Sequence, residues 1–487
     1  MNATALKRLP NLLLLIFGIS VFIFLVYKSS TASFTHDESF TYLHYPHDTF
    51  MKIISFSDSY SNNHILNSLL MKYSEVLFGN SELALRLPNV LLFAVYLIYG
   101  FLIFSRQNRW LAFALFTLLI TCVPLVDLFG MARGYGLSMG FMLMSVYHFL
   151  AFLRNNGRSH MVLFHVAALL AILASFTLLT VYTAMIGIYI LFRITEVQLF
   201  TSQKKLSAGK PWLFFIPVLI SAVILYEPVR RVIKFNKLDF GGSTGFYSDT
   251  MTHLVVTSFD GILPSPAILL LMKILLTMMV GISLFIAIRT AVDGKPEAFR
   301  RLTGLTVTGF LLLLLAVIFV AQHYILGTSY PVARFSVFLY PLVILQFGFL
   351  SDYLMRCGYR TFVIPIVAGL AFLSALNFAN RIDMHAFGEW GYDQNTKKML
   401  RVLAEEKSPE SKTISLGVEW LFEPTVNFYR ETNHFGWLQP VDRHGLHPDD
   451  DYFYISKPVP DSLQPGTWKI IREFESSNSV LLKNIRK

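Results

Sequence analysis

Charge is scarce in this 487-residue chain. Only 15% of its residues are Asp, Glu, Lys or Arg, against roughly 25% in ordinary soluble domains. With 54% of residues hydrophobic, the balance excludes a soluble globular protein and places most of the chain in a bilayer. Cysteine is nearly absent. Cys122 and Cys357 are the only two, both in or beside apolar runs, so there is no disulfide framework outside the membrane. No P-loop and no dinucleotide-binding glycine pattern occurs, which argues against soluble nucleotide-dependent chemistry and for a lipid-linked substrate. Tandem repeats and low-complexity segments are also missing. Asn2-Ala3-Thr4 is the only N-x-S/T triplet and falls on the expected cytoplasmic side, which points to a bacterial inner (plasma) membrane.

Long apolar runs fill the chain instead. A bilayer core takes about 20 apolar residues per helix. By that length about eleven spans are expected, at 11–27, 87–104, 110–126, 134–153, 161–178, 180–199, 211–226, 266–288, 303–321, 332–350 and 361–379. A tight turn near Leu179 divides the fifth from the sixth. Lys7 and Arg8 precede the first run as in a signal peptide, but no small-residue cleavage site ends it, so it reads as a retained span.

The basic residues set the orientation. With the N-terminus in the cytoplasm, the inner loops carry Lys7 and Arg8, then Arg106 and Arg109, then Arg154 and Arg158, then Arg193, Lys204, Lys205 and Lys210. The alternation continues with Arg289, Lys295, Arg300 and Arg301, and ends with Arg356 and Arg360. Much of the net charge of +10 is therefore topology, and its dispersal among short loops excludes a nucleic-acid stripe. An odd span count leaves the C-terminus extracytoplasmic. The expected organisation is a multi-pass domain over 1–379, with outer loops at 28–86 and 227–265, followed by an extracytoplasmic α/β domain at 380–487. In that tail KTISLGVEW and WKIIREF alternate like strands and TKKMLRVLAEEK repeats like a helix.

The first outer loop holds an acidic pair, Asp37 and Glu38, just beyond the first span. Further along, residues 62–78 place Ile65, Leu66, Leu69, Leu70, Tyr73, Val76 and Leu77 on one arc, with Asn63, Asn67, Ser68, Lys72, Ser74 and Glu75 on the other. This is the pattern of an amphipathic helix lying flat at the interface, ended by Gly79-Asn80.

These features resemble the GT-C class of membrane glycosyltransferases, in the bacterial branch related to protein O-mannosyltransferases and the lipid A aminoarabinose transferase (glycosyltransferase family 39-like). The resemblance covers about the first 350 residues and rests on HDES around Asp37, FGNSELALRLPN, MARGYGLSMGF after Asp127, and SYPVARFSVFLYP around Arg334. The chain departs from the family at the entry to the flat helix. It reads Asn63-His64-Ile65-Leu66-Asn67 where the family often has a His-Pro-Pro-Leu-Tyr-Tyr-like run.

The resemblance implies an α-helical polytopic GT-C-type fold and an inverting transfer of a sugar, hexose or pentose, from a polyprenyl-phosphate donor. The acceptor would be a hydroxyl or phosphate of a glycan, lipid or protein at the outer face. Such chemistry needs a carboxylate to take the acceptor's proton. Asp37 is the candidate base, with Glu38 as runner-up or orienting partner; the alternative is a loop or helix-capping role for Asp37. The leaving phosphate needs cations at the outer boundary. Arg86, Arg133, Lys273 and Arg334 sit at the outer ends of expected spans, where the positive-inside rule predicts few; snorkelling to headgroups is the alternative. Asp127 is either a second carboxylate of the site or the partner of Arg133. His64, Tyr135, Tyr330 and His323 are candidate pocket walls.

No His, Cys and carboxylate cluster has the spacing of a dedicated metal site. His434, His444 and His447 with Asp449, Asp450 and Asp451 come nearest, in a polar loop. No cofactor is implied, and the pattern leaves room for a divalent cation between Asp37 and the donor phosphate. A transporter or flippase of lipid-linked sugars, the competing reading, calls for ionisable groups in the middle of several spans. Here the polar load lies at the outer face. A membrane scaffold, the third reading, leaves the outer cations unexplained.

Overall fold

A computed structural model describes residues 3–57, 62–199, 211–235, 241–259, 264–294, 296–407, 413–460, 463 and 466–485. Lys204, Lys205, Lys210 and Lys295 lie outside the described residues, and the side chains of Lys7 and Arg8 are likewise not described.

In hydrocarbon every backbone polar group needs an internal partner, so apolar runs become helices. Among the described residues eight helices are long and apolar enough to cross a membrane: Leu9–Thr31, Glu82–Phe104, Gly134–Asn155, Leu178–Thr195, Trp212–Lys234, Pro266–Val292, Thr303–Leu326 and Arg360–Arg381. Arg109–Ile120 and Val123–Gly130 make a ninth if taken as one span, bent by 63°. The two other expected runs are helical but fail that test. Arg158–Ala174 has 17 residues. Leu339–Arg356 carries Asp352 and Arg356 in its last turns and begins seven residues later than the apolar run, because the chain first makes a 3-10 turn at Ala333–Phe335. The break expected near Leu179 falls earlier, between Ala174 and Leu178.

Gly134–Asn155 is buried along nearly its whole length and forms the middle of the bundle. Pro266–Val292 and Arg360–Arg381 are peripheral and leave Leu270, Leu271, Phe285, Phe362 and Phe372 exposed, as surfaces facing lipid tails would be. The loop helix forms over Ile65–Phe78 and ends at Gly79, whose φ of 82° is easy only for glycine. Its polar face, Asn67, Ser68 and Ser74, is buried against the protein. Val76, Leu77 and Phe78 at its end are 78, 71 and 61% exposed. The arc is therefore split: Ile65 is buried with Phe56 and Val232, Leu66 and Leu70 pack against Leu92 and Leu137, and only Tyr73, Val76, Leu77 and Phe78 at the C-terminal end face outwards as on an interfacial helix.

The tail is an α/β unit whose four-stranded sheet comprises β1 (Leu416–Val418), β2 (Tyr452–Ser456), β3 (Trp468–Phe474) and β4 (Ser479–Asn484), ordered β1-β2-β4-β3. β1 runs parallel to β2 and the other pairings are antiparallel. Period-two alternation sends Phe453 and Ile455 to one face, and Tyr452 and Tyr454 to the other. The second face shares one core with Phe34, Tyr42, Met71 and Leu85 of the first loop and flat helix. Phe34 stacks on Phe428 at 4.3 Å, and Lys397 pairs with Glu82. The tail is therefore seated on the first loop through a common apolar core.

Candidate active site

The acidic pair opens a helix, His36–His44, capped by Thr35 in a capping box with Glu38. Asp37 is thus within the first turn and is not the cap. Successive helical residues point about 100° apart, and the two carboxylates have different surroundings. Glu38 is fully buried and takes a two-point ion pair from Arg86, Nε to Oε1 at 2.8 Å and Nη2 to Oε2 at 2.7 Å. The Ala132 N–H also donates to Glu38 Oε1 at 2.6 Å. Arg86 gives its remaining donors to the carbonyls of Ser29, Ala32 and Ser33. All five guanidinium N–H groups are engaged, so Arg86 neither snorkels nor has a donor for phosphate. Glu38 and Arg86 hold the loop together.

Asp37 faces a cationic pocket. Its Oδ2 is buried without a hydrogen-bond partner, 3.5 Å from Arg133 Nη2 and 3.9 Å from Arg334 Nη2. Burial pushes the Asp37 carboxyl upward, but the fields of Arg133 and Arg334, with His36 and His64, leave it below the usual carboxylate value. Arg133 Nη1 donates to Thr41 Oγ1 at 2.9 Å, while Arg133 Nε is buried without a partner. A bare acceptor and a bare donor therefore sit in one desolvated pocket.

Local sequence explains how Arg133 is held. The segment before it is fixed from both sides, by Glu38 on the Ala132 N–H and by the Asn67 amide on the Ala132 carbonyl at 2.8 Å. Gly134 follows because a Cβ there would stand 1.9 Å from the Ala174 carbonyl oxygen and 2.5 Å from His64 Nδ1. His64 donates Nδ1–H to that same carbonyl at 2.7 Å. Loss of solvent and the nearby Arg133 lower its pKa to about 3, so it is a neutral wall residue. It packs edge-on to Tyr135 with centroids 4.8 Å apart.

Arg334 comes from the turn before Leu339–Arg356. Its Nε donates to Tyr135 Oη at 3.3 Å and its Nη1 pairs with Glu389 at 2.6 Å. The guanidinium lies 5.2 Å from the Trp390 ring centroid. Burial pulls its pKa down, yet Tyr135, Asp37 and Glu389 bring it above the usual value.

Asp37, Arg133, Arg334, His64 and Tyr135 are thus brought together, and the other candidates are not. Asp127 partners Lys28, Nζ to Oδ1 at 2.6 Å, rather than Arg133, and accepts from the Gly388 N–H at 3.0 Å. Lys273 is buried beside the Tyr247 ring at 5.1 Å. Tyr330 bridges Gly242 through the backbone and stacks on His323 at 4.4 Å. Both belong to a neighbouring group around residues 241–259.

Tail residues absent from the sequence reading complete the pocket. Besides Glu389 and Trp390, Asp393 accepts from the His36 N–H at 2.6 Å and so anchors the helix bearing Asp37; burial holds its carboxyl well above the usual value. No motif around these residues marks them. Among the described residues no group of three His, Cys, Asp or Glu side chains is placed to hold a metal ion. Of the tail histidines, His447 lies 3.6 Å from Asp442.

Fold and site together define an α-helical polytopic membrane protein with a buried carboxylate between two arginines at the junction of its spans and its tail. The sequence matches no family model and no curated relative. The structure is similar to two crystal structures of ArnT from Cupriavidus metallidurans. The one bound to undecaprenyl phosphate aligns over 99% of both chains with 14% identity and a TM-score of 0.46. The apo form aligns over 97% of this chain and 98% of that one, with 13% identity and a TM-score of 0.44.

Proposed function

We propose that the protein is an inverting glycosyltransferase that moves a sugar from a polyprenyl-phosphate donor to an acceptor hydroxyl at the extracytoplasmic face of the membrane. One observation carries this reading: Asp37 Oδ2, buried and free of hydrogen bonds, lies between two guanidinium groups from distant parts of the chain. A carboxylate with an open lone pair accepts a proton, and paired guanidinium groups bind phosphate.

The roles follow from charge. Arg133 and Arg334 hold the donor phosphate, which takes the place of their 3.5 and 3.9 Å ion pairs with Asp37 and parts the charges, so that the anomeric carbon comes to lie between the phosphate and the freed carboxylate. As the acceptor oxygen bonds to that carbon, its proton passes to Asp37. The carbon–oxygen bond to phosphate breaks, and the electron pair leaves with polyprenyl phosphate, whose new charge stays on the arginines. In the free enzyme the arginines weaken Asp37 as a base. A bound phosphate shares their field, so Asp37 becomes more basic once the donor is in place. Neutral His64 and Tyr135 form the wall.

The test is transfer of radiolabelled sugar from a panel of polyprenyl-phosphate sugars by purified protein in detergent, with and without a chelator. Stoichiometric release of polyprenyl phosphate that depends on Asp37 supports the reading. A flippase or transporter gives no such release in detergent, and its absence across the panel with every acceptor class sinks the proposal.

A further inference from the structure

The far end of the bundle carries a second concentration of charge. A cavity of about 310 Å³ is lined by five arginines, Arg106, Arg154, Arg300, Arg301 and Arg356, against one carboxylate, Asp352. Asp352 is paired with Arg356 at 2.7 Å. Among the described residues no carboxylate lies within ion-pair distance of the other four. Helix Gly134–Asn155 starts beside Arg133 and ends at this cavity, so roughly 30 Å of helix separates it from Asp37.

Orientation of the chain in the membrane calls for basic loops but not for their convergence. These arginines come from four separate places: the turn after Glu82–Phe104, the last turn of Gly134–Asn155, the short helix Pro296–Arg301 and the end of Leu339–Arg356. Like charges gathered in one cavity repel, and an anion there offsets that cost. The lining also includes the first turn of the 24-residue helix Thr303–Leu326 at Gly304 and Leu305, a helix start without a side-chain cap, whose dipole favours an anion. Ile103 and Phe349 form an apolar floor, and the volume holds several non-hydrogen groups beyond a single phosphate.

We propose that this cavity is a binding site for a phosphate-bearing anion, supplied by an anionic phospholipid headgroup or by a soluble phosphate compound, on the face opposite the Asp37 site. Planar forked donors suit phosphate oxygens better than point charges do. This reading stands independently of the transfer reaction, since none of its residues touches the Asp37 pocket.

The full-length protein in detergent is titrated with phosphatidylglycerol, phosphatidylcholine and inorganic pyrophosphate, and bound ligand is counted by native mass spectrometry. Wild type is compared with Arg154→Gln/Arg301→Gln and with Arg158→Gln/Arg360→Gln, which removes equal charge from the same face outside the cavity. Affinity should fall about fivefold for each cavity arginine removed, with the control unchanged. A selective loss for phosphatidylglycerol assigns the site to a headgroup, and a selective loss for pyrophosphate assigns it to a soluble compound. Equal binding by wild type and cavity variant, or equal loss in the control, overturns the proposal. Should the double variant fail to fold, Arg301→Gln at the exposed rim carries the same comparison at about fivefold.

Discussion

Arg86 grips Glu38 at two points, 2.8 and 2.7 Å, with both side chains fully buried and the remaining arginine donors spent on three loop carbonyls. Removing one member of such a pair strands a buried charge. Arg86→Ala or Glu38→Gln should therefore cost about 3–5 kcal/mol of stability. The expected result is a lowered melting temperature in detergent. Arg86→Lys should not rescue it, because an ammonium cannot replace the fork. A wild-type melting curve with weakened donor use would return Arg86 to the phosphate site.

Asp37→Asn should behave differently. The amide preserves shape and removes the proton acceptor, so turnover should drop by about 100-fold or more, while the melting temperature should fall less than for Glu38→Gln because the Arg133 and Arg334 contacts are longer, at 3.5 and 3.9 Å. Initial rates at saturating donor, alongside thermal unfolding, separate the two outcomes. Unaltered turnover would end the assignment of Asp37 as base.

Arg334 makes three kinds of contact, with Tyr135, Glu389 and the Trp390 face. Arg334→Lys loses the fork and should already weaken donor use; Arg334→Ala should nearly abolish it, at a cost of about 2–4 kcal/mol in transition-state stabilisation. Arg133→Ala should act similarly. Rates against donor concentration in detergent decide the matter, and normal kinetics for both alanine variants would move the donor site elsewhere.

The pH dependence has a definite sign. A base at Asp37 must be ionised, and burial, which raises its pKa, is outweighed by Arg133 and Arg334, so the free protein keeps it ionised to below the usual carboxylate range. Loss of kcat/KM on acidification should begin only as pH falls through that lowered value. Arg334→Ala removes one lowering charge and should move the acidic limb to higher pH. The limb for kcat, reporting the donor complex, should lie above that for kcat/KM in wild type. Coincident limbs in wild type and variant would show that Asp37 is not the titrating group.

The tail and the first loop share a core and meet at Asp393 and His36. Both must lie on one side of the membrane, and the positive-inside rule applied to the basic loops predicts that side to be the outside. A reporter fused near residue 400 should score as extracytoplasmic, and truncation after Ile382 should abolish activity by releasing the helix that carries Asp37. A cytoplasmic reporter would overturn the orientation.

Hydropathy along the chain determined the membrane class and the positions of the helical runs, because burying a long apolar run in lipid is a property of that run alone. The flat helix at 65–78 and the strand and helix patterns of the tail were readable for the same reason: their periods are local. Pairing is not local. Asp37 and Glu38 differ by one residue and about 100° of helix, and only the packed structure assigned one to Arg86 and left the other between Arg133 and Arg334. The same packing gave Asp127 to Lys28 and brought Glu389, Trp390 and Asp393 from the tail to the site. A side chain's partner is decided by which distant surface meets it, and that follows from how spans and tail close over the first loop.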